Sequence, residues 1–167
     1  VTIPREALTL TQVGDYKLRI VPSGLTTLFT RDFNIRNAAA SKLVITRDMP
    51  ASLQSGLTFS PVLRLQVQDA FDNPVLDSVT TVSATASAGA IQSISGATAS
   101  NVLGSSFIDV PNLAVTAKAG NTRLRFTATN AGAPINATSI TTSQFAVVAG
   151  GAYALSVSPT TMTVANR

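Results

Sequence analysis

The chain has 167 residues, 45% of them hydrophobic and 12% charged, a formal charge of +4, and no Cys, His or Trp. A single core can form at this length without disulfides or metals. The missing Cys excludes a thiol nucleophile, a Cys-ligated zinc or iron–sulfur site and a CxxC redox motif; the missing His excludes a Ser-His-Asp triad and the commonest general base and metal ligand.

Glu6 is the only Glu beside seven Asp, so composition points to a protein that is not an enzyme and holds no cofactor. The sequence pI of about 10.1 reflects scarce acids rather than a basic patch. No two of the twelve Lys and Arg are adjacent, and the segments 78–108 and 126–166 carry no charge at all. Nucleic-acid binding needs clustered cations for counterion release, so no nucleic-acid partner is expected. No apolar run reaches the ~18 residues that a spanning helix needs, so direct membrane insertion is not expected. The chain opens VTIPRE, without an n-region or h-region, so a secretion signal would lie outside these residues. Thr (22), Ser (17) and Ala (24) take the place of charge, a composition that suits an extracellular or cell-surface β-protein.

In chain order, Lys17-Leu18-Arg19-Ile20 alternates polar and apolar residues, and strands are expected at 42–46 and over Arg64-Leu65-Gln66-Val67-Gln68. Further strands are expected at 79–86, 107–109, 113–116, over Arg123-Leu124-Arg125-Phe126, and at 144–148 and 155–158. Pro50, Ser55-Gly56, Asp72-Asn73-Pro74, Ala88-Gly89, Gly96, Gly104, Pro111, Gly120-Asn121 and Gly150-Gly151 separate them. No segment holds a 3.6-residue apolar period. Short strands with regular breakers predict an all-β sandwich. The expected core is Leu43, Ile45, Leu63, Leu65, Val67, Leu124, Phe126, Phe145 and Val147.

An internal repeat organises these strands. Gly14-Asp15-Tyr16-Lys17-Leu18-Arg19-Ile20 lies over Gly120-Asn121-Thr122-Arg123-Leu124-Arg125-Phe126, an offset of 106 residues. Phe33-Asn34-Ile35 lies over Phe145-Ala146-Val147, and Leu43-Val44-Ile45 over Leu155-Ser156-Val157, at an offset of 112. One immunoglobulin-like domain is about 100 residues. Residues 1–38 therefore read as the last strands of one repeat, 39–149 as a complete repeat and 150–167 as the first strand of the next. The expected partners are neighbouring repeats of the same or an identical chain.

Val67-Gln68-Asp69-Ala70-Phe71-Asp72-Asn73-Pro74-Val75 resembles the Val-x-Asp-Ala-x-Gly-Asn-Pro-Val segment of bacterial immunoglobulin-like surface domains, the group that includes the invasin and intimin repeats. Leu43-Val44-Ile45-Thr46, Pro50, Gly56, Ala119-Gly120 and Phe145-Ala146-Val147-Val148 fit the same layout, which filamin-type repeats share in large part. The chain departs from the pattern at Asp72, where the group usually has Gly, and over the uncharged stretch 84–106. The resemblance implies an extracellular immunoglobulin-like Greek-key sandwich, used in tandem array as a spacer, stalk or adhesin module.

Asp69, Asp72, Asn73 and Asp77 form the one acidic cluster of the sequence. Its oxygens could supply part of a calcium shell, against the simpler reading of a turn in which Asp and Asn bond their own backbone. Lys17 and Arg19 recur as Arg123 and Arg125, either as a cationic ladder for surface glycans or as charges guarding a sheet edge. Asn136-Ala137-Thr138 is a glycosylation sequon. A carbohydrate site would call on Tyr16 and Tyr153, which have no aromatic neighbours in sequence. The functional expectation is a non-catalytic structural repeat. The alternative is a filament subunit assembled by head-to-tail strand addition between chains.

Overall fold

The computed structural model describes residues 8–131, 133–135 and 139–150. Four short strands come first: β1 (Gly14–Tyr16), β2 (Arg19–Ile20), β3 (Leu28–Phe29) and β4 (Phe33–Ile35). They form two antiparallel pairs, β1 with β4 and β2 with β3. The rest of the described chain contributes β5 (Lys42–Arg47), β6 (Ser52–Gln54), β7 (Leu63–Gln68), β8 (Thr80–Ala88), β9 (Ile91–Ser95) and β10 (Thr98–Ser100). There follow β11 (Phe107–Val110), β12 (Ala114–Ala117), β13 (Gly120–Asn130), β14 (Ala133–Pro134), β15 (Ile140–Thr141) and β16 (Phe145–Val148). One sheet runs β11-β7-β5 and the other β10-β8-β13-β16-β6, with β14 and β15 also on β13 and a small pair β12-β9 beside them. The chain crosses between the sheets in an immunoglobulin-like Greek-key order, and among the described residues there is no helix.

Alternation builds the sandwich. Leu63, Leu65 and Val67 of β7 are fully buried while Arg64, Gln66 and Gln68 between them are half-buried. On the facing sheet β13 buries Thr122, Leu124, Phe126 and Ala128 and turns Arg123, Arg125 and Thr127 outward. A strand with period-2 side chains can satisfy both faces only in this register, since a slip by one residue would exchange them. Phe145 sits edge-on to Phe59, ring centroids 5.7 Å apart. Of the nine expected core residues eight are buried, and Ile45 packs at the core's margin. Phe59, Val82, Ile108, Val110, Leu113 and Val115 complete it.

One expectation needs correction, and one stretch holds strands beyond those expected. The charged pair Arg123 and Arg125 guards no sheet edge: β13 is an interior strand, paired with β8 on one side and with β15 and β16 on the other. The uncharged stretch 84–106 is mostly strand, with β8 extending to Ala88 and β9 and β10 following. β8 beyond Ala84 and β10 are written in small residues with little hydrophobic contrast, and β9 spaces Ile91 and Ile94 three apart, so period-2 alternation does not reveal them. Two devices hold the stretch. Gly96 has φ 60°, and a Cβ there would collide with the Asn112 carbonyl. Asn101, 4% exposed, accepts the Thr80 N–H (2.6 Å) and donates to the Ser78 (3.0 Å) and Ser105 (2.6 Å) carbonyls. The expected strand at 155–158, and with it the segment 151–167, lies outside the described residues.

Truncating Phe145 to Ala is expected to cost about 3–5 kcal/mol of unfolding free energy, since it empties a buried ring site and unpairs Phe59. Chemical denaturation of the two proteins checks this; a shift below ~1 kcal/mol would contradict the packing.

Candidate functional site

Strand β7 ends at Gln68, and the chain reverses over the next five residues so that Pro74 bridges back to Gln68. The Asp69 N–H donates to the Asn73 carbonyl (3.0 Å) and the Val75 N–H to the Val67 carbonyl (3.1 Å), which closes the loop. Pro74 has no N–H to place, and its fixed φ suits the start of the return strand. Val75, 1% exposed, anchors that return in the core.

The Asp69 carboxylate is fully buried and has four N–H donors. Its Oδ1 accepts the backbone N–H groups of Phe71 (2.8 Å) and Asn73 (2.9 Å). Its Oδ2 accepts the Asn73 side-chain amide (3.0 Å) and the Ala38 N–H (2.9 Å). Burial pushes the Asp69 carboxyl up, but the Asn73 amide and the N–H groups of Ala38, Asn73 and Phe71 together outweigh it and hold the group below the usual carboxylate range. An unpaired carboxylate at this depth would be costly; four donors make it a fixed node.

Asn73, 3% exposed, extends the node outward. Its Nδ2 donates to the Thr11 carbonyl (2.7 Å) and its Oδ1 accepts the Val13 N–H (3.1 Å). The side-chain amide thus pairs with residues 11 and 13 as a neighbouring strand's peptide group would. Asn37 reaches across from the linker, its Nδ2 donating to Asp77 Oδ1 (2.8 Å). The turn therefore binds the main chain of the preceding segment at two places, ahead of β1 and in the linker before β5.

Of the four acidic-cluster candidates, the structure brings Asp69 and Asn73 together and sends the other two elsewhere. Asp72 pairs with Lys42 and Asp77 with Asn37. Among the described residues no group of three or more acidic side chains is arranged to hold a metal ion. Asp72 has φ 70°, in the left-handed region, which accounts for a Gly at this place in the resembling pattern and for Asp as a tolerated substitute. Tyr16 has no aromatic neighbour in sequence but gains one in space: its ring stacks on Phe33 with centroids 6.1 Å apart. Lys17 lies 3.5 Å from Asp32 and over the Phe29 ring. Arg19, Arg123 and Arg125 are exposed. Tyr153 and Asn136 lie outside the described residues.

Sequence reasoning located the turn but not what it holds. Thr11, Val13 and Ala38 take part through their main chain, which leaves no trace in residue type. An Asp and an Asn four residues apart also serve any ordinary turn. A second ionic node, Arg64 donating to both Asp109 oxygens (2.7 and 2.6 Å) with Arg47 at 3.3 Å, lies on the outer face of the β11-β7-β5 sheet. The Arg64 hydrogen bonds hold the Asp109 carboxyl below its ordinary value.

No family model and no curated protein matches the chain. Among solved structures it is similar to FdeC, an Escherichia coli adhesin, at 21% identity and a TM-score of 0.42 over 83% of this chain. The match spans 41% of that adhesin's chain.

Asp69→Asn is expected to lower stability by about 2–3 kcal/mol near pH 7, because the new amide turns N–H groups toward donors that need an acceptor. A depressed native value means that the contribution of Asp69 is complete above the ordinary Asp value of about 3.9 and is lost as pH falls through the native one. The gap between the two proteins should therefore narrow as pH falls below the ordinary Asp value, while the Asp109 contribution cancels between them. A gap independent of pH would contradict the assignment. At position 72, Gly should change stability by less than ~0.5 kcal/mol, because relief of the left-handed backbone offsets the lost Lys42 pair, whereas Val should cost more than ~1 kcal/mol.

Proposed function

We propose that the chain is a non-catalytic structural module of an extracellular or cell-surface protein, a spacer, stalk or adhesin unit, in which the Asp69–Asn73 turn fixes how the sandwich follows the segment before it. The observation that carries this is the use of two buried polar side chains, Asp69 and Asn73, on the main chain of residues 11, 13 and 38. A spacer carries position from one end to the other only if its junctions resist bending, and a short linker alone does not ensure that. Hydrogen bonds from fixed, buried side chains to the incoming main chain do, because bending would strip Asp69 and Asn73 of partners where the protein leaves them little water to turn to. The low-charge, Thr- and Ser-rich surface and the resemblance of residues 67–75 to bacterial surface domains support the same reading. The neighbours it calls for are further modules of its own kind; cell-surface glycans or proteins are partners for the assembled whole.

A second reading, a filament subunit joined by strand addition between chains, draws support from the half-exposed apolar residues of β1 and β4. Light scattering over a concentration series separates the two, a constant mass near 17 kDa favouring the spacer.

Nitrogen-15 relaxation should show residues 14–35 and 42–148 tumbling as one anisotropic body in the native chain. In Asn73→Ala the first group should gain independent motion. Independent tumbling in the unaltered protein would defeat the proposal.

A further inference from the structure

We infer that residues 8–38 are the closing strands of a second sandwich of the same design, and that their open face takes the missing sheet from polypeptide preceding them. This rests on the module reading above and names the partner of one surface. The structure repeats itself pair by pair. In the complete sandwich Gly120, Asn121 and Thr122 pair with Val147, Ala146 and Phe145; in the first segment Gly14, Asp15 and Tyr16 pair with Ile35, Asn34 and Phe33. Arg125 and Phe126 pair with Thr141 and Ile140, as Arg19 and Ile20 pair with Phe29 and Leu28. All five pairs keep the offsets of 106 and 112 found in the sequence.

The irregularity between the two pairs is repeated as well. The Thr142 N–H donates to the Leu124 carbonyl (2.9 Å) and the Leu124 N–H to the Thr142 hydroxyl (3.1 Å). Thr30 and Leu18 make the same two bonds at 3.0 and 2.9 Å. A hydroxyl that replaces a peptide carbonyl in a ladder is a specific device, and two independent hairpins have no general reason to share it at one register.

What differs is the cover. Thr122, Leu124, Phe126, Phe145 and Val147 are buried against the facing sheet and Phe59. Tyr16, Leu18, Phe33 and Ile35 alternate in the same way but are only half-buried, and Ile20 is 39% exposed where Phe126 is 0%. The complete sandwich shows what belongs there: a sheet like β11-β7-β5 with an aromatic side chain opposite Phe33. Chain order gives its source. The strands that face β13 and β16 precede them, so the counterparts precede residue 8. A second copy of this chain has no such sheet to lend, because its own is already filled by its β13 and β16.

The test replaces residues 1–13 with a copy of residues 39–119, whose residues 117 and 119 then offer the main chain that Thr11 and Val13 supplied, and reads amide hydrogen exchange at Tyr16, Leu18, Ile20, Phe33 and Ile35. The expected result is a rise in protection of about 100-fold or more at these amides over the original chain. Phe33→Ala should abolish that rise and leave residues 42–148 as they were. A companion chain that also carries Tyr16→Thr, Ile20→Phe and Ile35→Val restores the inward residues of the complete sandwich and controls for folding of the added copy. Protection in the companion alone overturns the inference, as does protection in neither. A concentration-dependent dimer of the original chain that protects the same amides would name a second copy as the occupant, and would overturn it too. Common tumbling of the two segments in the original chain is unaffected by these outcomes, so the junction reading stands or falls separately.

Discussion

The buried Asp69 carboxylate is the constraint on which the rest of this end of the molecule depends. A carboxylate out of water must find donors, and here they come from two stretches of chain: the turn, through its main chain and the Asn73 side chain, and the linker at Ala38. Satisfying one charge therefore fixes a loop conformation, the rotamer of a second polar side chain and the path of the incoming polypeptide together. Asn73 can then present a correctly oriented amide to residues 11 and 13, because its own geometry is already set. Packing energy makes the sandwich; this node gives it a direction relative to what precedes it.

Much of the sandwich was legible where hydrophobic contrast is strong. Arg64-Leu65-Gln66-Val67-Gln68 and Arg123-Leu124-Arg125-Phe126 alternate long polar and large apolar side chains, and they became the paired central strands of the two sheets. Legibility failed where strands are written in small residues or break the period of two. Ile91–Ser95 and Thr98–Ser100 hold their places through Gly96 and the Asn101 hydrogen bonds, neither of which leaves a periodic signal. Strand membership could be read for Arg123 and Arg125 but not their neighbours, because sheet order is a property of the whole chain.

The site shows the same division. Asp69, Asn73 and Pro74 mark a turn by composition, and the structure has that turn. Its grip on residues 11, 13 and 38 runs through main-chain atoms that every residue possesses. The positive φ of Asp72 lies between these cases. An Asp where related patterns carry Gly is a local clue to backbone shape, and the Lys42 pair is a feature that a Gly would not support.

The pairing of β6 with β16 has a mechanical consequence. These strands lie near the entry and exit of the sandwich and run parallel, with Ser52, Leu53 and Gln54 beside Ala146, Val147 and Val148. Tension applied between the two ends of such a unit drags the strands past each other, so their hydrogen bonds are loaded together in shear instead of being unzipped one at a time. Resistance to force is set by the barrier to that sliding rather than by equilibrium stability. The ladder that would be loaded in shear is thus one of the shortest in the sandwich.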